Sequence, residues 1–177
     1  IGGQTLPDMP VNPNGVALVI KDWSDRDIEV KKGVSTVKVI SGKFIVVDLV
    51  TTYRPDGVLV PQHRYVRDLL GVDFNWYFGY HLLEQKHVEG HVIAADTDDV
   101  DAEKVIKPKM WKAIIDQYIE DTTKRALTTD PNFTSESISV ILSPTNPNRL
   151  ETEIRYKRSG TVRIGSTTVK AGFNFGS

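Results

Sequence analysis

The stretch LETEIRYK at residues 150–157 alternates cleanly between two kinds of side chain. Uncharged residues stand at positions 150, 152, 154 and 156, and charged residues stand between them. Because successive side chains of a strand point to opposite faces, this pattern predicts a strand with one buried and one wet face. Further strands are predicted on either side of it, at residues 135–143 and 161–170.

The strand predicted at residues 161–170 is weakly apolar and leads into the glycine-rich tail AGFNFGS, residues 171–177. A strand with so little apolar material is poorly held by its own core, and its unpaired backbone groups favour a partner sheet. We therefore interpret residues 160–177 as a terminal arm, whose partner sheet lies either in the same molecule or in a second one. Its predicted hinge is Arg158, Ser159 and Gly160. The residues predicted to enter the partner sheet are Thr161, Val162, Ile164, Val169 and Phe173.

The N-terminal part of the chain begins with residues 1–15, which contain three prolines, three glycines and two asparagines and show no periodicity. They are predicted to be a linker or an N-terminal arm. A short apolar run at residues 16–20 predicts a buried strand. Two β-rich runs, residues 35–40 and 43–53, are joined by a Ser-Gly turn, which predicts a hairpin. The second run is apolar on both faces, so it is predicted to be a central strand.

Two helices are predicted, at residues 62–87 and 109–127, the second opened by Pro108 at a favoured first-turn position. The first carries two adjacent apolar stripes, so we expect most of its surface to be buried. Gly71 and Gly79 within it indicate a close helix approach or a bend. The first stripe is Tyr65, Leu69, Val72, Trp76, Tyr80 and Leu83, and the second is Val66, Leu70, Phe74 and Tyr77. The apolar face predicted for the second helix is Met110, Ile114, Ile115, Tyr118, Ile119, Thr122 and Ala126.

The order of strands, two helices and strands predicts an α+β fold. We expect a mainly antiparallel sheet with two long helices packed on one face, plus extended terminal arms. The predicted units are an arm at residues 1–15, a core domain at 16–159 and a C-terminal strand arm at 160–177. The chain opens on Ile1 rather than Met, which we interpret as a processed chain or a piece of a longer one.

Composition narrows the partners that the chain is expected to have. The 177 residues carry a formal net charge of −1, so there is no global field to attract nucleic acid or an anionic membrane. The chain has no cysteine, which excludes disulfides and thiolate metal sites. No apolar run approaches the ~18 residues that a transmembrane helix needs.

Three histidines and two glutamates lie within residues 81–91 and raise the question of a metal site. His81 and His87 are six residues apart, a spacing that does not place them on one helical face, and nothing resembles a His-Glu-x-x-His motif. We predict no metal and no cofactor, and interpret the cluster as a solvated helix end. The acidic run at residues 96–103 lacks the central glycine and final glutamate of a calcium loop. It is interpreted as a solvated loop before a helix, where acids are favoured.

No motif in the chain assembles a nucleophile, a base and an oxyanion donor, so the sequence favours a non-enzyme. Asp48, inside an apolar strand, is either a catalytic carboxylate or, more often in such positions, a bonded group at a strand irregularity. Lysines at positions 104, 107, 109 and 112 cluster around the start of the second helix. They form either a solvated face or a basic contact patch for an acidic protein partner, and both interpretations remain open.

Six short motifs stand in chain order: GVST at 33–36, VDLVTTY at 47–53, RPDG at 54–57, RYVRD at 64–68, VIKP at 105–108 and NPNR at 146–149. Taken together they resemble the contractile phage tail sheath proteins, and the Mu-like tail sheath subfamily in particular. The resemblance covers about residues 15–177. Members of that family are usually longer, so the resemblance implies that the chain corresponds to their conserved C-terminal part, either as a fragment or as a subunit with a reduced outer domain.

The resemblance implies a non-enzymatic structural subunit of hexameric rings that stack helically around a tail tube. Contraction of the rings would drive the tube through a cell envelope, and terminal arms exchanged between neighbours would complete a neighbour's sheet. The implied partners are further copies of the chain, the tail tube protein and baseplate proteins, with no nucleic acid or membrane bound. The implied location is the virion tail, and the host cytoplasm during assembly. Lys109 and Lys112 are the predicted tube contacts.

Two other interpretations remain open at this point. One is a different phage tail or baseplate adaptor, or a small binding module that presents its edge strand. The other, less favoured, is a metal-dependent enzyme that uses the histidines at 81, 87 and 91 and the acidic loop.

Overall fold

The computed structural model describes residues 5–6, 23–41, 43–58, 60–162 and 167–168. Within these residues the chain is a mixed α+β fold, which confirms the predicted class. The single large sheet that the sequence predicted is not formed by the described residues. Their strands instead make one three-stranded sheet and three two-stranded sheets, none of which dominates the fold.

The N-terminal sheet is built around the predicted hairpin. Its central strand, β3, lies between β1 and β2 and is antiparallel to both, which confirms the predicted central position. β1 comes from the segment predicted to be a linker, while the strand predicted at residues 16–20 lies outside the described residues. The elements of this region are β1 (Thr5–Leu6), α1 (Trp23–Lys31), β2 (Thr36–Ile40) and β3 (Lys43–Asp48).

Asp48 ends β3 and is buried, with only 6% of its surface exposed. Its Oδ2 accepts a hydrogen bond of 2.9 Å from the hydroxyl of Thr36, beside a shift in the strand register between Thr36 and Val37. The interpretation of Asp48 as a bonded group at a strand irregularity is therefore confirmed.

The first long helix has two parts. A wide π-helical segment, Arg67–Asp73, runs directly into the regular helix α2, Phe74–His87. The side-chain amide of Asn75 folds back onto this segment and donates two hydrogen bonds to it. Its Nδ2 donates to the carbonyl oxygens of Leu70 at 3.2 Å and Gly71 at 3.0 Å.

Gly79 is the point where α2 meets the second long helix, α3, which spans Pro108–Lys124. A Cβ placed at Gly79 would lie 2.4 Å from the hydroxyl oxygen of Tyr118. That hydroxyl donates a 2.7 Å hydrogen bond to the carbonyl of Trp76. The close helix approach predicted for Gly79 is confirmed, because no larger residue fits without moving Tyr118.

The acidic segment between the two helices is a loop that caps α3. It leads from β4 (Val92–Ile93) to β5 (Val105–Ile106), and these two short strands pair in parallel. The Asp96 carboxylate accepts a 2.9 Å hydrogen bond from the backbone N–H of Lys109 in the first turn of α3. Since first-turn N–H groups have no partner inside a helix, this contact confirms the loop interpretation.

The C-terminal third departs most from the prediction. Residues 135–137, predicted to be in a strand, belong to a helix, because Asp130 accepts a 3.2 Å hydrogen bond from Phe133 N–H and Pro131 opens the turn. β7 pairs with β8, and β6 pairs with β9, both antiparallel. The elements are β6 (Thr128–Thr129), α4 (Pro131–Ser137), β7 (Ser139–Leu142), β8 (Leu150–Glu153) and β9 (Lys157–Arg158).

The stretch at residues 150–157 is therefore divided between two sheets. Its alternation is still reflected in burial, since the uncharged positions are half-buried and three of the four charged positions are exposed. The terminal strand predicted at residues 161–170 is not formed by the four of its residues that the structure describes.

The main core lies between α3 and the β7–β8 hairpin, and Tyr80 and Leu83 of α2 pack against the same buried cluster. The predicted α3 face is confirmed at Ile115, Ile119 and Thr122, which are at most 2% exposed. It is wrong at Met110, which is 48% exposed, because the buried stripe runs through Trp111 instead. The fully or largely buried cluster is Ile106, Trp111, Ile115, Ile119 and Ile138.

Candidate functional site

The junction where β9 leaves the folded body is held by a charged network. The Arg158 Nε donates to Asp73 Oδ1 at 2.7 Å, and its terminal nitrogens reach the other carboxylate oxygen of Asp73 and the carbonyl of Gln62. The Tyr156 hydroxyl also donates to Asp73 Oδ1, at 2.7 Å. Burial, with the nearby Asp73 charge, raises the pKa of the Tyr156 hydroxyl, and the hydrogen bond to Asp73 raises the pKa of Arg158.

Aromatic rings support this network from the α2 side. Trp76 is 3% exposed and stacks on Tyr156 with ring centroids 4.6 Å apart. Its other stacked neighbour is Tyr80, at 5.3 Å. The residues that enter β9 are thereby packed against the buried side of α2.

Ser159 is fixed as firmly as Arg158. Its backbone N–H donates to the Leu127 carbonyl at 3.0 Å, and its hydroxyl donates to the Thr128 carbonyl at 2.7 Å. The guanidinium of Arg67 donates to the Ser159 carbonyl. Two of the three residues predicted to be a hinge, Arg158 and Ser159, are thus tied to the body.

The chain leaves the body immediately after Ser159. A Cβ at Gly160 would meet nothing within 4 Å. Thr161 is exposed, and Val162 exposes 85% of its surface. Ile164, Val169 and Phe173, the other residues predicted to enter a partner sheet, lie outside the described residues.

A cavity of about 820 Å³ lies beside this exit. One side is formed by residues of β2 and β3, including Lys38 and Ile45, and another by Trp23 of α1. Gly160 and Val162, which follow β9, also line this cavity. The first residues of the arm therefore run along an open space next to the N-terminal sheet.

The two predicted tube contacts have different environments. The ammonium of Lys112 donates to the carbonyls of Ser135 at 2.8 Å and Ile138 at 3.3 Å, so it stabilises the end of α4. Lys109 is exposed in the first turn of α3. Of the two, Lys109 has the side chain that a partner can reach.

The second apolar stripe predicted on the first helix is not buried. Val66 is half-buried, but Leu70, Phe74 and Tyr77 expose 58 to 60% of their surfaces. Phe78 and Leu82 extend the same apolar surface. The sequence correctly identified the residues as apolar; what it could not show is that no described part of the chain covers them.

The histidine and acidic residues do not come together as a metal centre within the described residues: no group of three or more His, Asp or Glu side chains there could hold an ion. His81 is exposed on α2, and the His91 ring nitrogen lies 3.2 Å from the Glu89 carbonyl oxygen. Burial, together with the charges of Lys86 and His91, lowers the pKa of His87.

Among the helices that the structure describes, none is long and apolar enough to cross a membrane.

Sequence reasoning missed the residues that build the junction, above all Asp73 and Tyr156. They are 83 positions apart, and no periodicity links them. The signal in the sequence was Asp73 itself, the single carboxylate within the apolar residues 69–80 of the first helix. A charge buried among apolar residues requires a partner.

No protein-family model matches the chain, and no significantly similar sequence is found among curated proteins.

Proposed function

We propose that the chain is a non-enzymatic structural subunit that assembles with further copies of itself as a contractile tail sheath. In this proposal hexameric rings stack around a tail tube and contract to drive it through a cell envelope. The kind of assembly, stacked hexameric rings, is taken from the motif resemblance to tail sheath proteins. The observation that carries the proposal is the C-terminal junction, where the chain is anchored through Ser159 and the next three residues, 160–162, are exposed.

An arm that transmits force between subunits needs a firm base. Arg158 is held by the Asp73 carboxylate, and Ser159 by the carbonyls of Leu127 and Thr128. These contacts tie the base of the arm to the end of the π-helical segment and to the segment after α3. We therefore place the pivot of the arm at Gly160, one residue beyond the anchored pair.

The arm requires a sheet edge on the neighbouring subunit. Among the described strands, β1 and β2 are the outer strands of the order β1-β3-β2, and β2 is the longer edge. Ile40 at its end is 42% exposed. Strand addition at this edge supplies main-chain hydrogen bonds that persist while the bodies rotate, because the connection bends at Gly160. Contacts of this head-to-tail kind that do not close into a ring generate a helical assembly.

In this proposal Lys109 contacts the tube, because the ammonium of Lys112 is already bonded to the end of α4. A single exposed lysine contributes little to affinity, and its effect is strongest at low salt. Lys109→Glu is expected to weaken tube attachment at low ionic strength without changing the folded body.

The test is negative-stain microscopy of the protein at its natural length, beside a variant that lacks residues 161–177. The natural protein is expected to form tubes or rings, and the variant to remain dispersed with an unchanged circular dichroism spectrum. Tubes formed equally well by the variant would overturn the role of the arm. Dispersed natural protein that instead binds a purified baseplate component would favour the adaptor interpretation.

A further inference from the structure

The cavity beside the base of the arm has no role in the proposed assembly, and we name it the arm-base cavity. Its volume of about 820 Å³ lies within the range of about 300–1,000 Å³ that is usual for small-molecule sites. The lining residues that decide its chemistry are Trp23, Arg26, Lys38, Ile45 and Val47.

One part of the lining is apolar. Ile45 and Val47 of β3 are half-buried and stand two positions apart, so they face the same side of the strand. Trp23 begins α1 and exposes 40% of its surface. An indole ring and two branched aliphatic side chains offer contact to an apolar body that enters the cavity.

Another part of the lining is cationic and lacks partners. Arg26 follows Trp23 by three positions on α1, so the two share a helical face. The Nε of Arg26 is buried and has no hydrogen-bond partner among the described residues. Lys38 of β2 likewise has no hydrogen bond or ion pair within the described part of the chain. Because a buried donor without an acceptor costs free energy, an anion in the cavity would stabilise this arrangement.

The other charged residues of the lining already have partners. The carboxylates of Asp48 and Asp68 each accept a hydrogen bond within the chain, at 2.9 and 3.3 Å. The guanidinium groups of Arg67 and Arg158 donate to the contacts that anchor the arm base. With four cationic side chains and two carboxylates, the described lining has an excess of two positive charges.

The charge of the arm itself does not match this cavity. Residues 161–177 contain Arg163 and Lys170 and no Asp or Glu. Like charges placed together away from water are unfavourable. The complementary occupant is therefore a molecule with an apolar body and a negative group.

We infer that the arm-base cavity binds a small apolar carboxylate, with its apolar body against Trp23 and the β3 side chains and its carboxylate on Arg26 and Lys38. A guanidinium presents a planar fork that matches a carboxylate, and a lysine ammonium adds a second charge-assisted hydrogen bond. The inference is independent of the proposed sheath function, because it uses no contact between copies of the chain.

Decanoate is the probe for this site, with decanol as the matched neutral compound and acetate as the head group alone. Trp23 reports binding by its fluorescence, since Trp76 and Trp111 are at most 3% exposed. Decanoate is expected to give a saturable change and to bind at least about tenfold more tightly than decanol or acetate. A hydrogen bond between charged groups contributes roughly that factor. Titration calorimetry measures the same dissociation constants without the reporter.

Arg26→Gln and Lys38→Gln are each expected to weaken decanoate binding about tenfold and to leave decanol binding unchanged. Lys43→Gln is the matched control, because Lys43 is exposed on β3, does not line the cavity and loses the same charge. A circular dichroism spectrum of each variant checks its fold.

Three results would overturn the inference: no saturable binding of decanoate, equal binding of decanoate and decanol, or an equal loss in the Lys43→Gln control. Decanoate binding that appears only after residues 161–177 are removed would also overturn it, by showing that the arm fills the cavity. Decanoate binding by a chain that forms no tubes would leave the inference standing and count against the sheath.

Discussion

The two sides of α2 are similar in composition and differ in what covers them. On one side, Val72 near the end of the π-helical segment and Trp76 of α2 are at most 3% exposed, and the Trp76 ring stacks on Tyr156. On the other, Phe74 and Tyr77 are each 60% exposed. Hydrophobicity along the sequence therefore located both sides, while only the fold distinguishes the side used within the subunit from the side available to another molecule.

The largest expected loss of stability follows from a substitution on the buried side of α2. Trp76→Ala removes the ring that stacks on Tyr156 and Tyr80 and is expected to lower the free energy of unfolding by about 3–5 kcal/mol. Phe74→Ala on the opposite side is expected to change it by no more than about 0.5 kcal/mol, measured for the monomer. Chemical denaturation at low protein concentration makes the comparison. Equal losses would show that both sides are packed within one chain.

The next largest loss of stability is expected at Asp73, which lies at the polar end of the buried side. Asp73→Ala leaves the guanidinium of Arg158 without its carboxylate and is expected to cost about 2–3 kcal/mol. Glu153→Ala removes the exposed partner of Arg155 and serves as the ion-pair control, with a loss below about 0.5 kcal/mol. Urea titration of both variants gives the two values. A loss for Asp73→Ala as small as that of the control would mean that the junction is not anchored there.

Smaller changes in stability, of opposite sign, are expected when each of the two glycines of the first helix is replaced by alanine. Gly79→Ala places a methyl against Tyr118 and is expected to destabilise by about 1–2 kcal/mol. Gly71→Ala meets only the Arg67 side chain at 3.6 Å and is expected to stabilise by up to about 1 kcal/mol through helix propensity. Thermal unfolding distinguishes them. Stabilisation by both substitutions would contradict the close approach of α2 and α3.

The smallest effect depends on pH. Burial raises the pKa of Glu84, with a further contribution from Glu89, so its carboxylate is less favoured in the folded chain than in the unfolded chain. The wild type therefore loses stability as pH rises from the unfolded-state pKa through the folded-state pKa. Because the group is only half-buried and solvent screens its charge, Glu84→Gln is expected to gain only a few tenths of a kcal/mol at pH 7 and nothing at pH 4. A gain of the same size at both pH values would show that the side chain acts through packing alone.

Local patterns predicted much of this fold because their physics is local. The Ser-Gly hairpin, the Pro108 helix start and the alternation at residues 150–157 depend on neighbours within a few positions. The division of the sheet could not be predicted in the same way. Asp130 caps a short helix where the β pattern continued, and Asp73 finds its partner Arg158 85 residues away.

The candidate site was predicted less completely than the fold. The sequence indicated that the body ends near residue 159 and that an arm follows, and Gly160 and Val162 have the exposure expected of an arm base. Anchoring of Arg158 and Ser159 was not visible, because their partners lie on distant elements. The part played by Ile164, Val169 and Phe173 stays a prediction.

The account depends most directly on whether the arm that follows Gly160 joins one copy of the chain to another, and thiol labelling measures this. The chain has no cysteine, so Val162→Cys places one thiol on the exposed arm, and Ile141→Cys places one on β7. We predict that labelling at position 162 slows as protein concentration rises and copies assemble, while labelling at position 141 stays constant. Labelling at position 162 that is equally fast at every concentration would contradict the account.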